Sequence, residues 1–288
     1  KILPVIKQHY VPQFIMRNFA DENGLLCIID KQSSPIRAIT SKATAILFEK
    51  DMYETKNLDG SYFDRNVIEN KFAQIEGHIA NVLQEVDSNL SNRQTLSLDE
   101  EVAFALFIAL QLVRLPMVRE IINNSPKGQF TSDVDKEIYD KATYRMMLLS
   151  RESGFEYLKE NGLVLSEDAK EQLKGQSLLE YTASFILSKC VIYVLTAPND
   201  DPDVLSDMPV LIDSFSDAKY VFPVAPRIAI CCCLSEEASK SEFGGFVQAQ
   251  SEWIEKINKQ LCNKANRWII CKSSYSSHIL NLLAQTRS

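Results

Sequence analysis

Three histidines occur in the chain, and the first, His9, lies in "HYVPQFIMRNF" among other polar residues that could share a site with it. Imidazole is the side chain whose ordinary pKa allows proton transfer near neutrality. If a helix begins early in this stretch, Gln13 falls one turn from His9 and Arg17 one turn further. That would give a base or acid beside an anion-holding cation. The plainer alternative is that His9 and Tyr10 pack and cap the N-terminal segment. His78 lies between Ile75 and Ile79 and reads as the flank of a packed helix, and His278 falls in a Ser-rich turn.

Gln111 and Arg114 interrupt an otherwise apolar helix. A buried guanidinium is costly unless an acceptor pairs with it, so Arg114 demands an acid nearby. Glu69 and Glu76 lie seven residues apart, on one flank of an amphipathic helix. Two readings stay open: a buried Arg–Glu bridge that locks two helices, or an anion or metal site between them. In "VLSDMPV", Asp207 stands at a strand-to-turn junction beside a proline-fixed backbone, which suits an acid presented at a sheet edge. The alternative there is an Asx-turn closing its own loop.

Several chemistries lack their motifs. The chain has no Gly-rich phosphate loop, GxSxG, HExxH or Rossmann glycine series, and it carries nine glycines. Net charge is −7, which argues against coating a polyanion through a broad basic surface, though not against a small basic cleft. Seven cysteines form no CxxC or Cys/His cluster. The run Cys231-Cys232-Cys233 would alternate between the faces of a strand, so it reads as buried thiols in a reducing compartment.

The elements that must position these residues follow from patterning. The chain has 288 residues, 45% hydrophobic and 24% charged, as for a globular protein with a full core. Pro12 can start a short helix, "DENG" ends it, and "LLCIIDK" with "IRAITSKATAIL" reads as two pairing strands. Ile68, Phe72, Ile75, Ile79, Val82 and Val86 form one helical stripe over Asp64 to Val86, with Asp64 as N-cap. Ser97 and Glu100 match a capping box ahead of a helix that is apolar nearly all round from Val102 to Val113, with Pro116 breaking it. Ser132 should cap a third helix through about Glu160, ended by "ENG", and a fourth runs from Glu167 to about Lys189. "CVIYVLTAP", "PVLID" and "YVFPVAPRIAICCCL" then read as strands, their prolines suggesting edges or strand starts. A helix from Gln248 to about Trp268 and a short one over "HILNLLAQ" close the chain. The expectation is a single α+β domain over 1–288, a mainly helical centre with a small sheet formed by the β-rich N- and C-terminal segments. No secretory signal is visible, and the longest apolar run, nine residues from Val102 to Leu110, is short of the ~20 that span a bilayer. The chain reads as cytoplasmic, with no membrane role.

The ordered set of motifs resembles a bacterial family of unknown function. Its members open with His-Tyr-x-Pro-Gln and an Arg-x-Phe a few residues on. "LLCIIDK" is similar to its next strand, "VIENKFAQIEGHI" to its helix with two glutamates, "QLVRLPMVRE" to its Gln-x-x-Arg-x-Pro helix, "LSDMPV" to its Ser-Asp-x-Pro segment, and "INKQLCNKANRWII" to its closing Asn-and-Ala helix. Met208 stands where an Asn is usual, and the acidic "NDDPD" is peculiar to this chain. The resemblance implies a shared fold and site but no activity. It gathers His9, Gln13, Arg17, Glu69, Glu76, Gln111, Arg114 and Asp207 from separated segments into an acid, base and anion-clamp kit.

Two functions are expected to compete. One is a metal-assisted phosphodiester hydrolase. His9, Gln13 and Asp207 would be its catalytic group, Arg17, Gln111 and Arg114 would hold the anion, and Glu69 and Glu76 would bind Mg²⁺ or Mn²⁺. Its partner would be a nucleotide or nucleic acid. The other is a non-enzymatic interaction or sensor module of a defence or toxin system, with a protein partner. Exposure separates them: an open cleft at His9, Arg114 and Asp207 favours the enzyme, and a sealed cluster favours the lock.

Overall fold

In the computed structural model the apolar stripes set out above pack as layers. The structure describes residues 5–90, 93–124, 132–172, 175–198, 202–215, 218–238 and 245–285. Strand β1 (Lys7–His9) leads into α1 (Gln13–Asn18), then β2 (Leu26–Asp30), β3 (Ala38–Ser41) and β4 (Phe48–Lys50). The helical centre comprises α2 (Val67–Asn89), α3 (Leu98–Val113), α4 (Pro116–Asn123), α5 (Asp133–Leu148), α6 (Arg151–Glu160), α7 (Glu167–Gln172) and α8 (Leu178–Lys189). The last part holds β5 (Cys190–Thr196), β6 (Leu205–Ser206), β7 (Leu211–Phe215), β8 (Ala218–Ala225), β9 (Ile228–Leu234), α9 (Ser235–Ala238), β10 (Gly245–Gln248), α10 (Ser251–Lys264), β11 (Trp268–Cys271) and α11 (Ser276–Gln285). This is an α+β fold.

The two β-rich ends do join. An antiparallel sheet runs β3-β2-β11-β6, so strands from residues 26–41 pair with strands from residues 205–271. The sheet content exceeds the expected small sheet, however. A five-stranded sheet, β10-β5-β9-β8-β7, forms within the C-terminal part, and β1 pairs with β4 in a two-stranded ribbon. The five-stranded sheet is buried on both faces, which explains its near-continuous apolar strands. On β9, Ile230 and Cys232 belong to one core cluster with Phe104 and Phe107 of the helical centre, whereas Ala229, Cys231 and Cys233 belong to a second with Ile257 and Leu261 of α10. The triple cysteine run thus splits between faces.

Four helix boundaries differ from expectation, each for a local reason. Asp64 does not cap α2. Asn66 occupies the N-cap in the left-handed region (φ 63°), and Asp64 instead receives two bonds from Arg145. The expected third helix breaks at Leu149, and Ser150 caps α6 through the Ser153 N–H. The expected fourth is α7 and α8, with Ser177 and Glu180 forming a second capping box. Helix α10 ends at Lys264, so Trp268 lies in β11. The capping box of Ser97 and Glu100 forms as expected, and α3 is the buried central helix, although Val102 is 41% exposed. Pro223 is not on an edge. It sits in β8 beside a register shift between Pro223 and Ala225, where a missing N–H is tolerated. Among the described residues no single helix is long and apolar enough to cross a membrane.

Candidate functional site

The opening motif is held from several sides by its main chain. Pairing of His9 with Phe48 puts the imidazole against that ring, centroids 5.4 Å apart. Gln13 lies one turn on, as the spacing requires. Arg17 donates to Gln13 Oε1 (2.7 Å), which leaves the Gln13 amide nitrogen to donate to His9 Nδ1 (3.2 Å). The neutral ring then carries its proton on Nε2, and that atom is buried with no side-chain partner among the described residues. Burial lowers the His9 pKa to about 4; a hydrogen bond with the Ala43 main chain opposes the shift, and the charges of Arg114, Lys7 and Arg17 reinforce it. A base so weak and so enclosed is neutral at pH 7.

Gln111 and Arg114 come from the buried face of α3 to the same segment. Gln111 donates to the Tyr10 carbonyl (2.7 Å), and Arg114 donates from one terminal nitrogen to the His9 carbonyl. The other terminal nitrogen of Arg114 pairs with Glu76, and Nε donates to the Tyr53 hydroxyl (3.2 Å). Burial alone would pull the guanidinium pKa down; Tyr53 and Glu76 more than offset it, so the charge is retained. Arg114 is 2% exposed and its donors are spent inside the protein. Glu69 sits nearby with Oε2 buried and without a hydrogen-bond partner among the described residues. Burial lifts its carboxyl to about 7, with Arg114 opposing and Glu76 adding to the rise.

Asp207 belongs to a second polar lock. Its carboxylate accepts from the N–H groups of Asn266 (2.9 Å), Arg267 (2.8 Å) and Trp268 (3.1 Å). These three donors lie where α10 gives way to β11, so the carboxylate fixes that change of direction. Neither an Asx-turn closing its own loop nor a hydrogen-bond partner for His9 describes it: no hydrogen bond joins His9 to Asp207, whose carboxylate accepts from the main chain of residues 266–268 instead. Asn258 completes the lock, accepting from the Val204 N–H (2.9 Å) and donating to the Pro202 carbonyl (2.9 Å).

The site residues therefore divide. The structure brings together His9, Gln13 and Arg17, and beside them Gln111, Arg114 and Glu76, with Glu69 at the margin. It leaves Asp207 in the other lock. Glu76 is paired with Arg114, and among the described residues no group of three or more His, Cys, Asp or Glu is arranged to hold a metal. Sequence reasoning missed Tyr53, whose hydroxyl also donates to the His9 carbonyl (3.2 Å), and Gln8, which accepts from the Tyr53 N–H (2.6 Å) and donates to Glu54 (2.6 Å). It also missed Arg145, 1% exposed, which binds Asp64, Thr55 and Ser153. An arginine inside the amphipathic pattern of α5 was the available signal.

Between the two locks lies a cleft of about 220 Å³, lined by Tyr10, Pro116, Met117, Glu120, Asp207, Met208 and Asn266. Of the segments that carry the family resemblance, all but the two-glutamate helix and the "LLCIIDK" strand supply a wall. Tyr10 N–H donates to Leu47 (3.0 Å) and its carbonyl is held by Gln111, so the ring is fixed while its hydroxyl has no partner among the described residues. Burial first, and Asp207 second, push the phenol pKa above its usual value. The lining contains carboxylates and an aromatic ring but no basic side chain.

No curated protein and no solved structure matches the chain. A family description covers most of it: the DUF4238 family, a protein of unknown function, matches residues 7–274. That span takes in the opening His-Tyr-x-Pro-Gln motif, both locks and the cleft between them, and the chain belongs to the DUF4238 family.

Proposed function

We propose that this protein is a non-enzymatic recognition module. Its polar signature builds a rigid platform, and its cleft at Tyr10, Glu120 and Asp207 accepts a cationic side chain of a protein partner. The observation that carries this reading is the division of labour around the cleft. Gln111, Arg114 and Asp207 are bonded to main chain, whereas the tyrosine ring, the exposed Glu120 and the polarizable Met117 and Met208 line the opening. An aromatic face beside carboxylates suits an ammonium or guanidinium group, through cation–π attraction and ion pairing.

A metal-assisted phosphodiester hydrolase is the second reading, and Glu69 favours it. A carboxyl titrating at about 7 is matched to acid–base work at neutral pH. One NMR titration separates the two. Under the recognition reading, N-acetyl-arginine amide gives saturable shifts at Tyr10, Glu120 and Met208, and Glu120→Gln abolishes them. Under the hydrolase reading, Mn²⁺ with a nucleotide broadens resonances around Glu69 and Glu76, and the arginine probe leaves the cleft untouched.

A further inference from the structure

We propose that the cavity between α1, α2 and the turn joining β8 to β9 is a second binding site, for an amphipathic anion with a compact apolar body and one carboxylate or phosphate group. The cavity holds about 520 Å³, within the ~300–1,000 Å³ typical of small-molecule sites. Its floor is apolar. Phe14 packs against Phe107 (centroids 5.7 Å), and Leu83, Val224 and Ile228 are each no more than 6% exposed.

Arg227 and Lys272 stand in its lining, from two different parts of the chain. The only hydrogen bonds their side chains make among the described residues are long ones to carbonyls, Arg227 to Ala197 and Lys272 to Ala20, both at 3.4 Å. Neither has an ion pair among the described residues. The lining offers one carboxylate, Asp87, against these two cations. In a chain of net charge −7, two uncommitted cations beside apolar walls form a locally positive mouth. The wall itself is fixed: Asn18 donates to the Val224 carbonyl (2.8 Å) and ties α1 to β8. The position of the cations decides the class of ligand. An apolar body can occupy the floor while its charged head meets Arg227 and Lys272, and a cationic head would be repelled there. The cavity shares no lining residue with the acidic cleft, so it stands apart from the recognition reading.

The test is calorimetry on the full chain with octanoate and phenyl phosphate, and with octylamine and octanol as charge controls. One or both anions should bind saturably, at least about tenfold more tightly than either control; the stronger arm tells carboxylate from phosphate. R227E/K272E should weaken the anion at least about tenfold without shifting the ligand-free Tm, because both side chains lie at the margin of the fold. Should that variant unfold, Ala80→Trp serves instead, filling the cavity while leaving both cations in place, and it should abolish binding. Equal binding of anion and amine, no saturable anion binding, or full binding in Ala80→Trp would each overturn the proposal.

Discussion

Arg114 donates to the main-chain carbonyl of His9, 105 residues earlier in the chain. The guanidinium therefore holds the opening motif through its backbone, and the same side chain is anchored by Glu76 and Tyr53. The most conspicuous charged residue of α3 is thus a fastener between the N-terminal segment and the helical centre.

Removing it should be expensive. Arg114→Met is expected to cost about 3–5 kcal/mol, because it leaves the half-buried Glu76 carboxylate unpaired and removes one of the two side-chain donors to the His9 carbonyl. Urea denaturation measures the loss. In a double-mutant cycle, Arg114→Met and Glu76→Gln should couple by more than about 1 kcal/mol; additive effects would show that the pair contributes nothing as a pair.

Asp207 organises three N–H groups at the end of α10. Asp207→Ala should cost roughly 2–4 kcal/mol, since it leaves three part-buried main-chain donors without their charged acceptor. Hydrogen exchange gives the sharper readout. The amides of Asn266, Arg267 and Trp268 should exchange faster in the variant than those of α3, and an unchanged pattern would refute the lock.

Glu69 gives a pH dependence of known sign. Its carboxyl is raised to about 7 in the folded protein from an ordinary 4.5. The native state therefore holds the proton more tightly than the unfolded chain between those values. Stability from this group is full below 4.5 and is lost as pH rises toward 7. His9, lowered to about 4 from 6.5, works in the opposite sense, with stability lost as pH falls through that window. Glu69→Gln should accordingly be near neutral at pH 4.5 and stabilise by roughly 1–3 kcal/mol at pH 7.5. Chemical denaturation at the two pH values decides it, and a gain that is the same at both would contradict the shift.

Asp203 is fully buried, and neither carboxylate oxygen has a hydrogen-bond partner among the described residues. Burial raises its pKa well above 3.8. Stability is thus lost as pH climbs past 3.8, by at most about 1.4 kcal/mol per pH unit. Asp203→Asn should raise stability at pH 7 by at least about 1 kcal/mol and by less at pH 4. A variant less stable than the parent at pH 7 would reveal a partner for this carboxylate.

Much of this architecture was legible because it rests on periodicity and local capping. The stripe from Ile68 to Val86, the box of Ser97 and Glu100, and the alternating cysteines of β9 all express rules that act within a few residues. The spacing of His9, Gln13 and Arg17 gave their hydrogen-bonded chain for the same reason. The Arg114–Glu pairing was legible from the cost of a buried charge, with Glu76 and Glu69 both open. What escaped was set by distant contacts. Asp64 has the right type for an N-cap, and only the fold brings Arg145 to it. Asp207 looked like a catalytic acid because nothing local reveals that residues 266–268 will offer it three N–H groups. Tyr53 and Gln8 lie in short segments without a pattern, so no signal marked them. The five-stranded sheet was underestimated because its strands are apolar on both faces and their partners are not encoded locally.

The central claim is that the opening motif is a sealed fastener, and the protonation of His9 tests it most directly. With three histidines in the chain, the His9 ring can be assigned and followed by NMR from pH 3 to 9. The account predicts a midpoint of about 4, with the proton held on Nε2 throughout the neutral range. A midpoint near 6.5 or above would contradict it, because only an imidazole open to solvent or paired with a carboxylate titrates there.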